Sequence, residues 1–93
     1  MAKQKEIAKL LEAHPQLTHS NNCRVASHVQ RASGEWIINT LMLEGYDVPF
    51  RYKRKQQYRS LKGARVNLTY YPSTIDVAGL SMEVMNVVRI KRS

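Results

Sequence analysis

Residues 64–71 read ARVNLTYY, and this stretch indicates the fold class. Val66, Leu68 and Tyr70 alternate with mostly polar neighbours, a period of two that is typical of a strand with one buried face. Upstream, residues 48–55 read VPFRYKRK and repeat the pattern, with apolar or aromatic residues alternating with proline and basic ones. Two such stretches in a short chain predict a mainly β protein.

Three further strands are predicted around these two. Residues 82–91 are rich in valine and methionine and have the composition of a strand. Residues 24–31 and 36–43 suit either a strand or a short helix, because their apolar residues fit both periods. We expect strands there, with 36–43 and about 47–55 joined as a hairpin. The result is a small five-stranded antiparallel sheet or barrel.

The N-terminal part of the chain and the loop after the fourth strand complete the predicted layout. Residues 2–13 carry apolar residues at helical spacing and predict an N-terminal helix, which makes the chain α+β by count. Residues 14–23 are polar and predict a connector, followed by a β-rich core at 24–93. Pro72 predicts the end of the fourth strand, with a loop of about ten residues after it. A chain of 93 residues fits one domain.

Composition narrows the class of protein. The chain is 43% hydrophobic with a formal net charge of +8, which fits a folded, strongly basic domain. It has a single cysteine, no secretory signal at its start and no apolar run of the roughly 20 residues that cross a membrane. The sequence therefore predicts a cytoplasmic protein that does not enter membranes.

The positive charge is concentrated in one block. Residues 48–75 contain seven basic residues and no acidic one. Such a concentrated field attracts polyanions and speeds their encounter with the protein. The alternative is a solvated face that only keeps the protein in solution.

The sequence does not indicate a catalytic site or a metal-binding site. His14, His19, Cys23 and His28 are types that bind zinc, but they lack the closely paired spacing of structural zinc sites. Cys23 and His28 have no orienting third group at a recognisable spacing, and no glycine-rich phosphate loop is present. The sequence predicts a binding protein with no cofactor, no metal and no catalytic residue.

Aromatic and basic residues are interleaved from Phe50 to Arg65, a pattern that favours nucleic acid. Trp36 is expected in the core, and strand parity points Arg54 inward. The predicted phosphate contacts are Arg51, Lys53, Lys55, Arg59, Lys62 and Arg65. The predicted stacking residues for unpaired bases are Tyr58 and Tyr71.

The succession of five strands resembles the layout of OB-fold barrels, which bind oligonucleotides on one sheet face. Residues 61–66, LKGARV, look like the turn into the fourth strand of cold-shock-type domains. The aromatic RNA-binding motifs that cold-shock domains carry on strands two and three are not recognisable here. An SH3-like barrel, or an α+β fold with residues 24–44 helical, would explain the same pattern.

Two main functional hypotheses follow, beside a third in which the same basic region is a site for a small phosphorylated ligand. The first is a nucleic-acid-binding module for RNA or single-stranded DNA, since no helix carries the charge that would enter a duplex groove. The second is an assembly subunit that docks on an acidic protein partner through the edge near Pro49 or through the N-terminal helix.

Overall fold

The computed structural model describes residues 17–93, which form five strands joined by turns and one longer loop. This part of the chain contains no helix, and hence none that is long and apolar enough to cross a membrane. The strands are β1 (Thr18–Ser33), β2 (Trp36–Leu43), β3 (Phe50–Arg54), β4 (Arg65–Val77) and β5 (Leu80–Arg92).

The five strands form one sheet that closes into a ring in the order β1-β2-β3-β5-β4. The 16-residue β1 makes this closure possible, because its second half pairs with β2 and its first half with β4. Its register shifts between Ser20 and Cys23 and again between Val25 and Ser27. Such irregularities bend a strand and increase its twist, as closure of a small sheet requires.

The join between β3 and β5 is the shortest in the ring. These two strands are parallel, so the prediction of an entirely antiparallel sheet is wrong here, and they meet at only two pairs, Phe50↔Met85 and Arg51↔Asn86. The Met85 amide also donates to the Pro49 carbonyl at 2.8 Å. The edge near Pro49, which the sequence offered to a protein partner, is therefore covered by β5. No further pairs join β3 to β5 after Arg51, which leaves room for a groove.

The core lies inside the ring, and the inward-facing residues predicted in β3 and β4 are confirmed, although Thr69, expected on the outer face, is also fully buried at the register shift between Thr69 and Tyr70. Phe50 is fully buried, in edge-to-face contact with Tyr46 and Tyr70 at centroid distances of 5.3 and 4.8 Å. The rest of the core cluster consists of Val25, Leu41, Leu43, Tyr52, Val66, Leu68 and Val87.

The two ambiguous segments are strands, so the alternative with residues 24–44 helical is wrong. β1 begins at Thr18, earlier than the strand expected at 24–31. The described part of the expected connector 14–23 is therefore mostly strand, because its polar residues pair with β4. The predicted helix at 2–13 lies outside the described residues.

The prediction that Pro72 ends the fourth strand is also wrong. Among the described residues, β4 pairs with β1 only as far as Tyr70, so Pro72 lies on an edge, where a missing amide hydrogen is tolerated. β4 and β5 continue as a ladder to a two-residue turn at Ala78 and Gly79, both with positive φ. This ribbon, residues 71–86, replaces the expected loop, and we call it the β4–β5 arm.

Residues 55–64 pack along β1. The Gly63 amide donates to the Val25 carbonyl at 2.8 Å, where Gly63 has a φ of +82° that suits glycine. Leu61 packs against the core, and its amide donates to Nδ1 of His28 at 2.9 Å. These bonds hold the loop that carries several of the predicted binding residues.

Candidate nucleic-acid interface

A groove of about 620 Å³ lies between β3 and the β4–β5 arm, where β3 and β5 part. We call it the β3 groove. Its polar and charged lining comes mainly from Arg51, Lys53, Ser73 and Asn86, and its apolar lining mainly from Ile38, Ile75 and Val84.

Arg51 and Lys53 lie in the groove because of strand alternation. Their neighbours Phe50 and Tyr52 are buried in the core, so the two basic side chains project from the opposite face of β3. Lys53 is exposed and Arg51 half-buried. None of the described residues that line the groove is acidic. Two cations in a concave surface whose own lining carries no carboxylate form a site that attracts anions.

A second groove, of about 570 Å³, continues the first toward the tip of the arm. We call it the tip groove. It shares Ile38, Arg51 and Ile75 with the β3 groove. Its other main lining residues are Val29, Arg31, Asp76, Val77 and Met82. The continuous surface is therefore basic at β3 and more apolar toward the tip.

Lys55 directly follows β3, and its side chain contacts the turn between β1 and β2. Its ammonium is 3.5 Å from the Glu35 carboxylate and 4.2 Å from the ring centroid of Trp36. The ion pair is exposed and contributes little to stability. Trp36 is 39% exposed, so its expected place in the core is wrong. Lys55 must leave its carboxylate partner, or share it, in order to contact a phosphate.

Tyr58 and Arg59 lie on the loop at 55–64. Tyr58 is 58% exposed, and both its amide and its carbonyl are bonded to the Gln30 side chain, at 3.1 and 2.7 Å. Arg59 lines a smaller cavity of about 200 Å³ together with Arg54 and His28. Neither Tyr58 nor Arg59 lines the β3 groove.

Lys62 and Arg65 belong to a separate basic surface at the start of β4. Arg65 is the cross-strand neighbour of Arg24, and its guanidinium donates to the Asn22 carbonyl at 3.4 Å. Eight residues of strand, about 26 Å, separate Arg65 from Ser73 in the β3 groove. We call this second region the ring-end surface; it consists of Arg24, Arg65 and Arg92 on paired strands and Lys62 in the preceding turn, and Arg24 Nε lies 3.9 Å from the Glu44 carboxylate.

Tyr71 is half-buried at the root of the arm. It pairs with Asn86 across β4 and β5, and the Asn86 amide donates to its hydroxyl. Asn86 also lines the β3 groove. Tyr71 therefore supports a groove residue rather than offering a free ring for stacking.

Sequence reasoning missed the groove residues contributed by the arm. Ser73, Ile75 and Asn86 are neither charged nor aromatic, and they reach the site only through the long β4–β5 ladder. Arg54, by contrast, follows its parity: it is half-buried, with its guanidinium 4.8 Å from the Tyr52 ring centroid.

The two histidines of the described residues are held in separate hydrogen bonds. His19 contacts Thr69 at 2.9 Å, and His28 contacts Asn39 at 2.8 Å. Within residues 17–93, no group of three or more histidine, cysteine, aspartate or glutamate residues is placed to hold a metal ion. Burial raises the pKa of the Tyr52 hydroxyl, partly offset by the charge of Arg54.

No protein-family model, curated protein or solved structure matches the chain. The functional argument therefore rests on the geometry and charge of the described residues.

Proposed function

We propose that the protein is a non-catalytic module that binds RNA or single-stranded DNA through the β3 groove. The observation that carries the proposal is the position of Arg51 and Lys53 in a concave surface whose described lining has no acidic residue. Basic side chains fix the phosphate backbone, and the neighbouring apolar and amide side chains contact bases.

The strand arrangement supports the same proposal. A closed five-stranded ring with this order resembles an OB-fold barrel, and OB folds bind oligonucleotides on the face of strands 2 and 3, between the 1–2 and 4–5 loops. The β3 groove lies in the corresponding region, between β3 and the β4–β5 arm. One departure is that residues 55–64 form a loop where OB folds carry a helix.

The groove favours unpaired strands over a duplex. No helix is present among the described residues that could enter the major groove of a duplex. The walls of the β3 groove are formed by two β-ribbons instead. Tyr52 is the aromatic residue in the lining, and its ring is buried. We therefore propose that bases pack on the half-buried Ile38 and Ile75 instead of stacking on the predicted tyrosines.

The test is fluorescence anisotropy with labelled single-stranded RNA, single-stranded DNA and duplex DNA at several salt concentrations. Neutralisation of two phosphates by Arg51 and Lys53 on a single strand predicts a log–log slope of roughly −1.4. Salt-sensitive binding of a single strand, tighter than that of the duplex, supports the proposal. No binding at low salt would reject it.

An acidic protein partner is the second candidate. The ring-end surface supports it, because Arg24 and Arg65 are adjacent on a sheet surface outside the grooves. Salt-sensitive capture of an acidic protein that is lost in a Lys62→Gln/Arg65→Gln variant would favour this function.

A further inference from the structure

The cavity of about 200 Å³ lies between the loop at 55–64 and the strands of the ring, and we call it the loop cavity. It continues the inward-facing side of the sheet beyond the core, because Arg54 follows the buried Tyr52 at the next inward position of β3. Tyr52 also lines the β3 groove, and no other residue of the loop cavity lines either groove. The loop cavity is therefore a separate site.

The loop cavity contains two arginines, Arg54 and Arg59, and none of its described lining residues is acidic. Neither guanidinium forms an ion pair with another described residue. An arginine side chain carries several N–H donors, and Arg54 uses one of them on the Lys53 carbonyl at 3.0 Å. Two cations at the margin of an apolar core, without a carboxylate in the lining, attract an anion.

Tyr52 adds a hydroxyl group to the lining. Tyr52 is only 7% exposed, and its hydroxyl has no hydrogen bond to another described residue. Burial raises the pKa of this hydroxyl and the charge of Arg54 partly offsets the rise, so the hydroxyl and the guanidinium are close enough to interact. Hydroxyls of nearly buried residues normally have a hydrogen-bond partner. Tyr52 can therefore donate a hydrogen bond to an anion beside Arg54.

Hydrogen bonds anchor the loop on both sides of Arg59. The Tyr58 amide donates to the Gln30 side chain at 3.1 Å, and the Gln30 side chain donates to the Tyr58 carbonyl at 2.7 Å. The Leu61 amide donates to Nδ1 of His28 at 2.9 Å. The backbone that carries Arg59 is therefore held in place before a ligand arrives, which lowers the entropic cost of binding.

The size and charge of the loop cavity indicate the chemistry of its ligand. Its volume of about 200 Å³ is below the roughly 300–1,000 Å³ of cavities that enclose drug-sized ligands, so it suits an end group. Arginine binds phosphate oxygens in bidentate geometry. A phosphate monoester carries nearly two negative charges at neutral pH, whereas a backbone phosphodiester carries one. Two arginines therefore match a monoester.

We propose that the loop cavity binds a phosphate monoester through Arg54 and Arg59, with a hydrogen bond from the Tyr52 hydroxyl. The monoester belongs either to a free nucleotide or to the phosphorylated end of a strand. The inference does not rest on the proposed function of the β3 groove, because its ligand needs no polynucleotide chain. It also gives a role to two arginines that do not line that groove.

The test is an NMR titration of the isotope-labelled full chain with inorganic phosphate, adenosine 5′-monophosphate and adenosine at constant ionic strength. We expect saturable binding of the two phosphate probes, with amide shifts at Arg54, Arg59 and Leu61, and no binding of adenosine. The Arg54→Gln/Arg59→Gln variant should raise the dissociation constant at least about tenfold, because it removes two charged hydrogen-bond donors. Arg59→Gln alone, on the exposed loop, should raise it in the same direction and serves as the test if the double variant does not fold.

Lys62→Gln/Arg65→Gln is the matched control, because it removes the same net charge outside the loop cavity. It should leave the dissociation constant unchanged. Circular dichroism and a thermal melt establish that each variant folds. Three results would each overturn the proposal: no saturable binding of either phosphate probe, binding of adenosine as tight as that of its monophosphate, or equal losses in the Arg59→Gln variant and the control.

Paired single strands with a 5′-phosphate or a 5′-hydroxyl distinguish the two sources of the monoester. A gain in affinity from the 5′-phosphate that disappears in the Arg59→Gln variant assigns the site to strand ends. Binding of adenosine 5′-monophosphate without such a gain assigns it to a free nucleotide. Binding of the monophosphate by a protein that binds no strand would support the loop cavity and reject only the function proposed for the β3 groove.

Discussion

Removing the two charges in the β3 groove should weaken nucleic-acid binding by a predictable amount. The variant is Arg51→Gln/Lys53→Gln, which keeps polar side chains at both positions and removes two cations from a lining with no described acidic residue. Each phosphate contact on a single strand contributes about 0.7 to the salt slope, so two contacts contribute about 1.4. At 0.1 M salt this corresponds to roughly 25-fold in affinity.

The assay is fluorescence anisotropy with a labelled single strand across a salt series, with wild type and variant measured side by side. We expect the variant to show both the loss of affinity and the shallower slope. Neither side chain is part of the core cluster, so thermal stability should change little.

The matched control is Lys62→Gln/Arg65→Gln, which removes the same net charge from the ring-end surface. Its salt slope should stay close to that of the wild type, because these residues lie about 26 Å of strand from the groove. Equal losses in the two variants would mean that binding follows net charge rather than the groove. That result would refute the reasoning from geometry.

Three further predictions concern stability. His28→Leu leaves the Leu61 amide and the Asn39 side-chain Oδ1 without their His28 partner. It should lower the free energy of unfolding in urea by about 2–4 kcal/mol. A loss well below this range would contradict the role given to these bonds. Because burial raises the pKa of Tyr52, the free energy of unfolding should fall as pH rises above about 10. The Tyr52→Phe variant should show a smaller fall in alkaline urea titrations. An unchanged pH dependence would contradict the assignment of this fall to Tyr52. Ala78 has a φ of 51°, a left-handed conformation that asparagine adopts more readily than alanine. Ala78→Asn should therefore raise the free energy of unfolding by about 1 kcal/mol. A lower melting temperature would contradict the inference that Ala78 is strained.

The alternation of apolar and polar residues along the sequence predicted which residues of a single strand face the core. The alternation in β3 and β4 correctly identified Phe50, Tyr52 and Leu68 as inward-facing, because a half-buried strand imposes a period of two. The length of β1 and the closure of the ring were not predictable in this way. They depend on pairing between residues about 50 positions apart, such as Thr18 with Tyr70.

Pro72 shows why the arm was missed. A proline normally excludes a central strand, and the sequence gives no sign that β4 has become an edge at that point. The candidate site was incompletely predicted for the same reason. Arg51 and Lys53 follow from strand parity, whereas Ser73 and Asn86 join them only through the ladder of the arm.

The spatial grouping of the eight predicted residues also depended on tertiary structure. Residues 51–65 are contiguous in sequence, but the loop at 55–64 turns away from β3 and packs along β1. It therefore separates Lys62 and Arg65 from the groove. No count of charges along the chain reveals that turn.

Mapping of the bound surface by NMR tests the central claim most directly. Amide spectra of isotope-labelled protein would be recorded during titration with an unlabelled single-stranded oligonucleotide. The account predicts shifts at Ile38, Arg51, Lys53, Ser73 and Asn86, with little change at the ring-end surface. Shifts confined to the ring-end surface, or no shifts at a saturating concentration of oligonucleotide, would contradict it.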